Sequence, residues 1–203
     1  MKTYHSRSYH RFFEGYTEKG IVNEKGNYQI VRVYTGDYYE PCYKNGEKKK
    51  YETIVTLCYC MAAALFFVSG VQRTAVNLLL PAALFQSIAL WLLVLLARSV
   101  IYLWIEKPPY TVRKYRLVSE KMKSYSRVCA VFCWLTAAVM AVAWICLTAS
   151  GHPAKSLSSL LCIAGFLACG LLLYTIFAME NHVAYRRKKS SEVRPEKGVD
   201  IVF

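Results

Sequence analysis

Apolar and polar positions divide the chain into four long apolar runs, Thr53–Gly70, Leu78–Ile105, Val128–Ala149 and Leu157–Met179, separated by charged segments. A hydrocarbon layer about 30 Å thick takes roughly 20 helical residues, and the runs meet that length, the first narrowly. The pattern predicts four transmembrane helices arranged as two helical hairpins, 53–105 and 128–179. A loop, 106–127, joins them, with a head, 1–52, before and a tail, 180–203, after. Met1–Lys50 contains no apolar core of signal-peptide type, so the first span is expected to serve as the targeting signal.

Ahead of the first run the period changes from that of a helix to that of a strand. The stretch "GIVNEKGNYQIVRVYTGDYYEPCY" reads as strand Tyr16–Val22, turn Asn23–Gly26, strand Asn27–Thr35, a Gly36-Asp37 turn, and a short strand Tyr38–Tyr43 stopped near Pro41. This is a three-stranded antiparallel meander. Tyr28, Ile30, Arg32 and Tyr34 alternate onto one face and Gln29, Val31, Val33 and Thr35 onto the other, so neither face is cleanly polar. A head of this size cannot bury enough surface to stand alone. It needs a second surface, and Tyr28, Ile30, Arg32, Tyr34, Tyr38 and Tyr39 are its candidate partner-docking residues. The expected fold class is therefore an all-α integral membrane protein of four transmembrane helices with a small β-meander head.

Charge adds sidedness. Lys and Arg number 10 in residues 1–52, 7 in 106–127 and 6 in 180–203, against single residues, Arg73 and Lys155, in the first and third connections. The positive-inside rule then places both termini and the middle loop in the cytoplasm, in a plasma or inner membrane. A net charge of +13 would also suit nucleic acid, but the cations cluster at the ends of spans. Lys48, Lys49, Lys50, Arg113, Lys114, Arg116, Arg186, Arg187, Lys188 and Lys189 are candidate contacts for anionic lipid headgroups, each worth about 1 kcal/mol near the surface. No nucleic-acid partner is expected.

Seven of the eight cysteines fall within the runs and Cys42 falls on the cytoplasmic side, which argues against a disulfide framework. Cys129 and Cys133 share a helix face with Ala137 and Ala141, and Cys162 and Cys169 share one with Gly165. Small residues at that spacing allow close helix approach in lipid. The two hairpins also end alike, "IYLWIEKPPYTVRKYR" and "YTIFAMENHVAYRRKK", with Glu106 matching Glu180 and Tyr110 matching Tyr185. That likeness is compatible with an internal duplication.

Arg98 is the one charge inside an apolar run. It is expected either to snorkel to the interface or to pair with Glu180 and fix the packing of the second helix on the fourth. No carboxylate lies deep in a span, and no catalytic, cofactor or metal-ligating motif is present, so no enzyme and no cofactor are expected. In the middle loop, Val112, Tyr115, Leu117 or Val118, and Met122 form an apolar stripe. It reads equally as an interfacial helix or as an extension of the third span. The functional expectation is a non-enzymatic accessory or scaffolding subunit with a cytoplasmic docking platform, its partner a protein or a second copy. The other class is a small oligomeric transport or channel component.

Overall fold

The computed structural model describes residues 15–22, 28–43, 47–72, 74–150 and 156–189. In chain order the elements are β1 (Tyr16–Val22), β2 (Tyr28–Tyr34), β3 (Tyr38–Pro41), α1 (Glu47–Val71), α2 (Leu80–Ile105), β4 (Tyr110–Thr111), α3 (Val112–Tyr115), a π-helical turn (Arg116–Glu120), α4 (Lys121–Ala149), α5 (Ser156–His182) and β5 (Tyr185–Lys188). They form two compact units. One holds the helices through residues 43–105 and 117–183, and the other holds the strands through 1–42, 106–116 and 184–203.

Four helices are long and apolar enough to cross a membrane: Glu47–Val71, Leu80–Ile105, Val112–Ala149 and Leu157–His182. Their outward side chains include Leu57, Phe67, Trp91, Val142 and Leu171. Surface this apolar is stable where lipid replaces water, and a helix satisfies its own backbone there. The third spanning helix begins at Val112, well before the apolar run, because α3, the π-turn and α4 follow one another without interruption. The middle-loop stripe thus belongs to an extension of the third span; Val118 and Met122 are fully buried.

Packing within this unit follows the small residues. α5 lies against both α4 and α1, α4 also packs on α2, and α1 and α2, though consecutive, touch far less than these pairs do. The Cys162, Gly165 and Cys169 face of α5 meets α1: the Cys169 thiol reaches the Ala62 carbonyl at 3.3 Å and the Cys162 thiol that of Ser69 at 3.5 Å. The Cys129 thiol reaches the Ala89 carbonyl of α2 at 3.4 Å, while Cys133 lies 3.8 Å from Cys169, sulfur to sulfur. All four thiols are fully buried. They act as small side chains that let helix backbones approach, which is the main source of association where lipid removes the hydrophobic drive.

Side-chain hydrogen bonds link α1 to α2 instead. Trp104 Nε1 donates to Thr56 Oγ1 at 2.8 Å, and the Tyr59 hydroxyl donates to the Leu93 carbonyl at 3.3 Å. In the connection between these helices, Asn77 Nδ2 is shared among the carbonyls of Ser69, Gly70 and Gln72, at 3.3, 2.9 and 2.8 Å, and Asn77 Oδ1 accepts from Gln86 Nε2 at 2.6 Å. One side chain therefore satisfies carbonyls that the end of α1 leaves without helical partners. Asn77→Leu is expected to cost about 1–3 kcal/mol by stranding these groups. Thermal unfolding in detergent checks it, and because Gln86 acts through Asn77, adding Gln86→Leu to that variant should cost little more.

The strand unit departs from a meander. β1 and β2 form an antiparallel hairpin from Tyr16↔Tyr34 to Val22↔Tyr28; its connecting turn, 23–26, lies outside the described residues. β3 does not continue that sheet. It is the middle strand of a second one, in the order β4-β3-β5, antiparallel to both neighbours. The reason lies at the end of β2. The amides of Thr35 and Gly36 both donate to the Gly15 carbonyl, at 2.8 and 3.0 Å, closing the hairpin on its own start. Gly15 has φ +84°, and a Cβ there would meet the Tyr34 ring at 2.7 Å, so glycine suits this crossing. The chain then leaves the hairpin before Tyr38.

A candidate docking sheet

β3 is short, yet it draws together three segments far apart in the chain. Tyr38 lies opposite Thr111 and Lys188, Tyr39 opposite Tyr110 and Arg187, Glu40 opposite Arg186, and Pro41 opposite Tyr185. The Cys42 amide extends the β5 side by donating to the Ala184 carbonyl at 2.8 Å. Directly opposed residues of antiparallel strands share a face. One face therefore carries Tyr39, Pro41, Tyr110, Tyr185 and Arg187, and the other carries Tyr38, Glu40, Thr111, Arg186 and Lys188.

The first face is aromatic. Tyr115 of α3 stacks on Tyr39, centroids 4.3 Å apart and 11° between planes, and meets Tyr185 edge-on at 4.9 Å. Tyr110 is 1% exposed. Tyr34 leads from the hairpin into the sheet: its ring meets Tyr38 edge-on at 4.9 Å and Tyr16 at 5.1 Å. Its hydroxyl donates to the Asp37 carbonyl at 2.8 Å and accepts from the Val112 amide at 3.1 Å. Arg187 pairs with Asp37 and Lys188 with Glu40, both bridging β5 to the β3 segment.

Burial is the main cause that raises the Tyr34 hydroxyl above its ordinary pKa of 10.0. The Val112 amide works against it, and charge on Tyr38, Tyr16 and Asp37 adds to it. Tyr38 is raised chiefly by burial as well. A folded-state pKa above the unfolded value stabilises below that value and ceases to do so as pH rises through the folded one. The sheet is thus expected to hold its tyrosine contacts up to about pH 10 and to loosen above it. Phenolate absorbance should show a late-titrating class of tyrosines that Tyr34→Phe diminishes.

No protein-family model, curated protein or solved structure matches the chain.

Of the candidate docking residues, Tyr34, Tyr38 and Tyr39 belong to this sheet and its approach. Tyr28, Ile30 and Arg32 lie on β2, where their strand backbone is described and their side chains lie outside the description. The candidate lipid contacts divide. Lys48 pairs with Glu52 at 3.3 Å and Lys114 with Glu106 at 2.6 Å, and with Arg187 and Lys188 these cations are already matched. Lys49, Lys50, Arg186 and Lys189 are exposed, as are Arg113 and Arg116.

Arg98 and Glu180 are not brought together. Arg98 is exposed, with its guanidinium 5.5 Å from the Tyr102 ring centroid, and forms no ion pair among the described residues. Glu180 is fully buried and accepts a hydrogen bond from the Tyr51 hydroxyl of α1. The physical reason is the neighbour order: α5 packs on α1 and α4.

Tyr115, Asp37 and Glu40 also help build the site, and nothing in their local sequence singles them out for it. Tyr110 and Tyr185 did carry a signal, since they occupy matching places after the two apolar pairs. In the fold they sit in the two strands that flank β3.

Proposed function

We propose that the chain is a non-enzymatic multi-pass membrane protein that presents the β4-β3-β5 sheet and its attached hairpin to a protein partner in the cytoplasm, as an accessory or scaffolding subunit of a membrane complex. The observation that carries this reading is the sheet itself. The segment before the first span, the loop after the second and the tail after the fourth pair in one antiparallel ladder. Segments that hydrogen-bond to one another share one side of a membrane, which agrees with the positive charge they hold in common. Exposed Lys49, Lys50, Arg186 and Lys189 are suited to anionic headgroups at that side. β2 offers an edge with no second strand partner among the described residues, the usual basis for recognition by strand addition.

The test is affinity purification in mild detergent. Full-length protein is compared with a variant lacking residues 1–34, which removes the hairpin, and with full-length R187D/K188E, which opposes like charges across the β3–β5 ladder. Loss of the same co-purifying proteins from either variant supports the platform. An unchanged set from both removes it.

A further inference from the structure

We propose that pairing of β5, the strand after the fourth span, is what closes the docking sheet, so that a chain whose third span has crossed and whose fourth has not cannot present it to a partner. What the sheet is for rests on the platform reading; how it closes does not. β4 offers β3 two residue pairs, Tyr38↔Thr111 and Tyr39↔Tyr110. A ladder that short does not hold an extended segment in water. β5 adds four pairs, from Tyr38↔Lys188 to Pro41↔Tyr185, and both ion pairs that clasp the β3 segment, Arg187 with Asp37 and Lys188 with Glu40. It also supplies Tyr185, which completes the stack of Tyr39 and Tyr115. Most of the ladder that orders β3 therefore arrives with the segment after α5.

Chain order turns this into a gate. β3 precedes the first span, β4 follows the second, and β5 begins three residues after α5 ends at His182. β3 and β4 are together on one side once the first two spans are in place. β5 shares that side when α4 and α5 have both crossed, and is kept from it when α4 has crossed and α5 has not. A chain stalled with α4 inserted and α5 not leaves β5 on the far side of the bilayer, and β3 then keeps only its two residue pairs to β4 and its ring contacts with Tyr34 and Tyr115. The cations of the tail thus have a second role beyond topology: two of them are the clasp.

Hydrogen exchange on the full chain in nanodiscs tests the closure without a partner. R187D/K188E is expected to lower protection at Tyr38–Glu40 and also at Tyr110–Thr111, at least tenfold, although β4 itself is unaltered. Adding D37R/E40K, which restores opposite charges across the ladder, is expected to recover it. Unchanged protection at β3 and β4 in R187D/K188E would overturn the proposal. So would recovery failing while α1, α2, α4 and α5 keep their wild-type protection. The order of events is read by pulse-labelling the full chain during cell-free synthesis into nanodiscs: β3 should gain protection with α5 or after it, and protection of β3 before α5 refutes the gate. Purification with partners is a separate arm. If exchange behaves as expected and the co-purifying proteins do not change, the closure stands and the platform reading falls.

Discussion

Gly170→Ala is expected to destabilise the bundle in detergent by about 1–3 kcal/mol, the usual cost of overfilling a packed core. A Cβ at Gly170 would overlap Nε1 and Cδ1 of Trp134 and stand 3.0 Å from Cε2. These atoms belong to a rigid ring, so relief requires moving the indole or parting α4 from α5, the most closely joined pair in the molecule. Two other glycines set the scale. At Gly165 the added carbon would overlap the Ser69 hydroxyl, which can rotate away, so Gly165→Ala should cost less. At Gly70 nothing lies within 4 Å, and Gly70→Ala should be neutral or stabilising through helix propensity alone. Thermal unfolding should order the variants Gly170, Gly165, Gly70, and Trp134→Ala should recover much of the loss in Gly170→Ala. An equal effect at Gly170 and Gly70 would mean that the Trp134 contact does not govern the cost at Gly170.

The same contrasts show what sequence could convey. The presence of four spans was legible because apolar length responds to one variable, bilayer thickness; each of the four helices takes in one apolar run, and the first and third begin well before theirs. The Cys162, Gly165, Cys169 stripe was legible because helical spacing puts those residues on one face whatever they face. The neighbour across the interface was not. Pairing along a β-ladder is also non-local: β3 takes partners about 70 and 150 residues away, and the Gly36-Asp37 signal looked like a hairpin turn because turn chemistry is read within a few residues. What decided against the meander was the carbonyl of Gly15, which binds the Thr35 and Gly36 amides. The two similar segments after the second and fourth spans each supply a strand to the same short partner, which their likeness alone could not state.

Glu180 carries the other large expected effect. Glu180→Leu should cost about 2–3 kcal/mol by removing the buried acceptor of the Tyr51 hydroxyl, whereas Arg98→Leu should change stability by less than about 1 kcal/mol, the range of an exposed cation–ring contact. Glu180 is fully buried near the end of α5, and Tyr51 is in the second turn of α1, so their bond fastens the two ends of a packed helix pair. Glu180→Gln keeps an acceptor at the same place and should lose less than the leucine variant. Tyr51→Phe combined with Glu180→Leu should lose less than the sum of the two, because each single change already breaks the shared bond. Thermal unfolding in detergent of the four single variants and this double variant separates the alternatives. Had Arg98 been the partner of Glu180, Arg98→Leu would leave a buried carboxylate without its counter-charge and match the loss in Glu180→Leu. A near-neutral Arg98→Leu beside a costly Glu180→Leu assigns the fastening to α1 and leaves the exposed guanidinium to the interface, where its long stem can reach the headgroups.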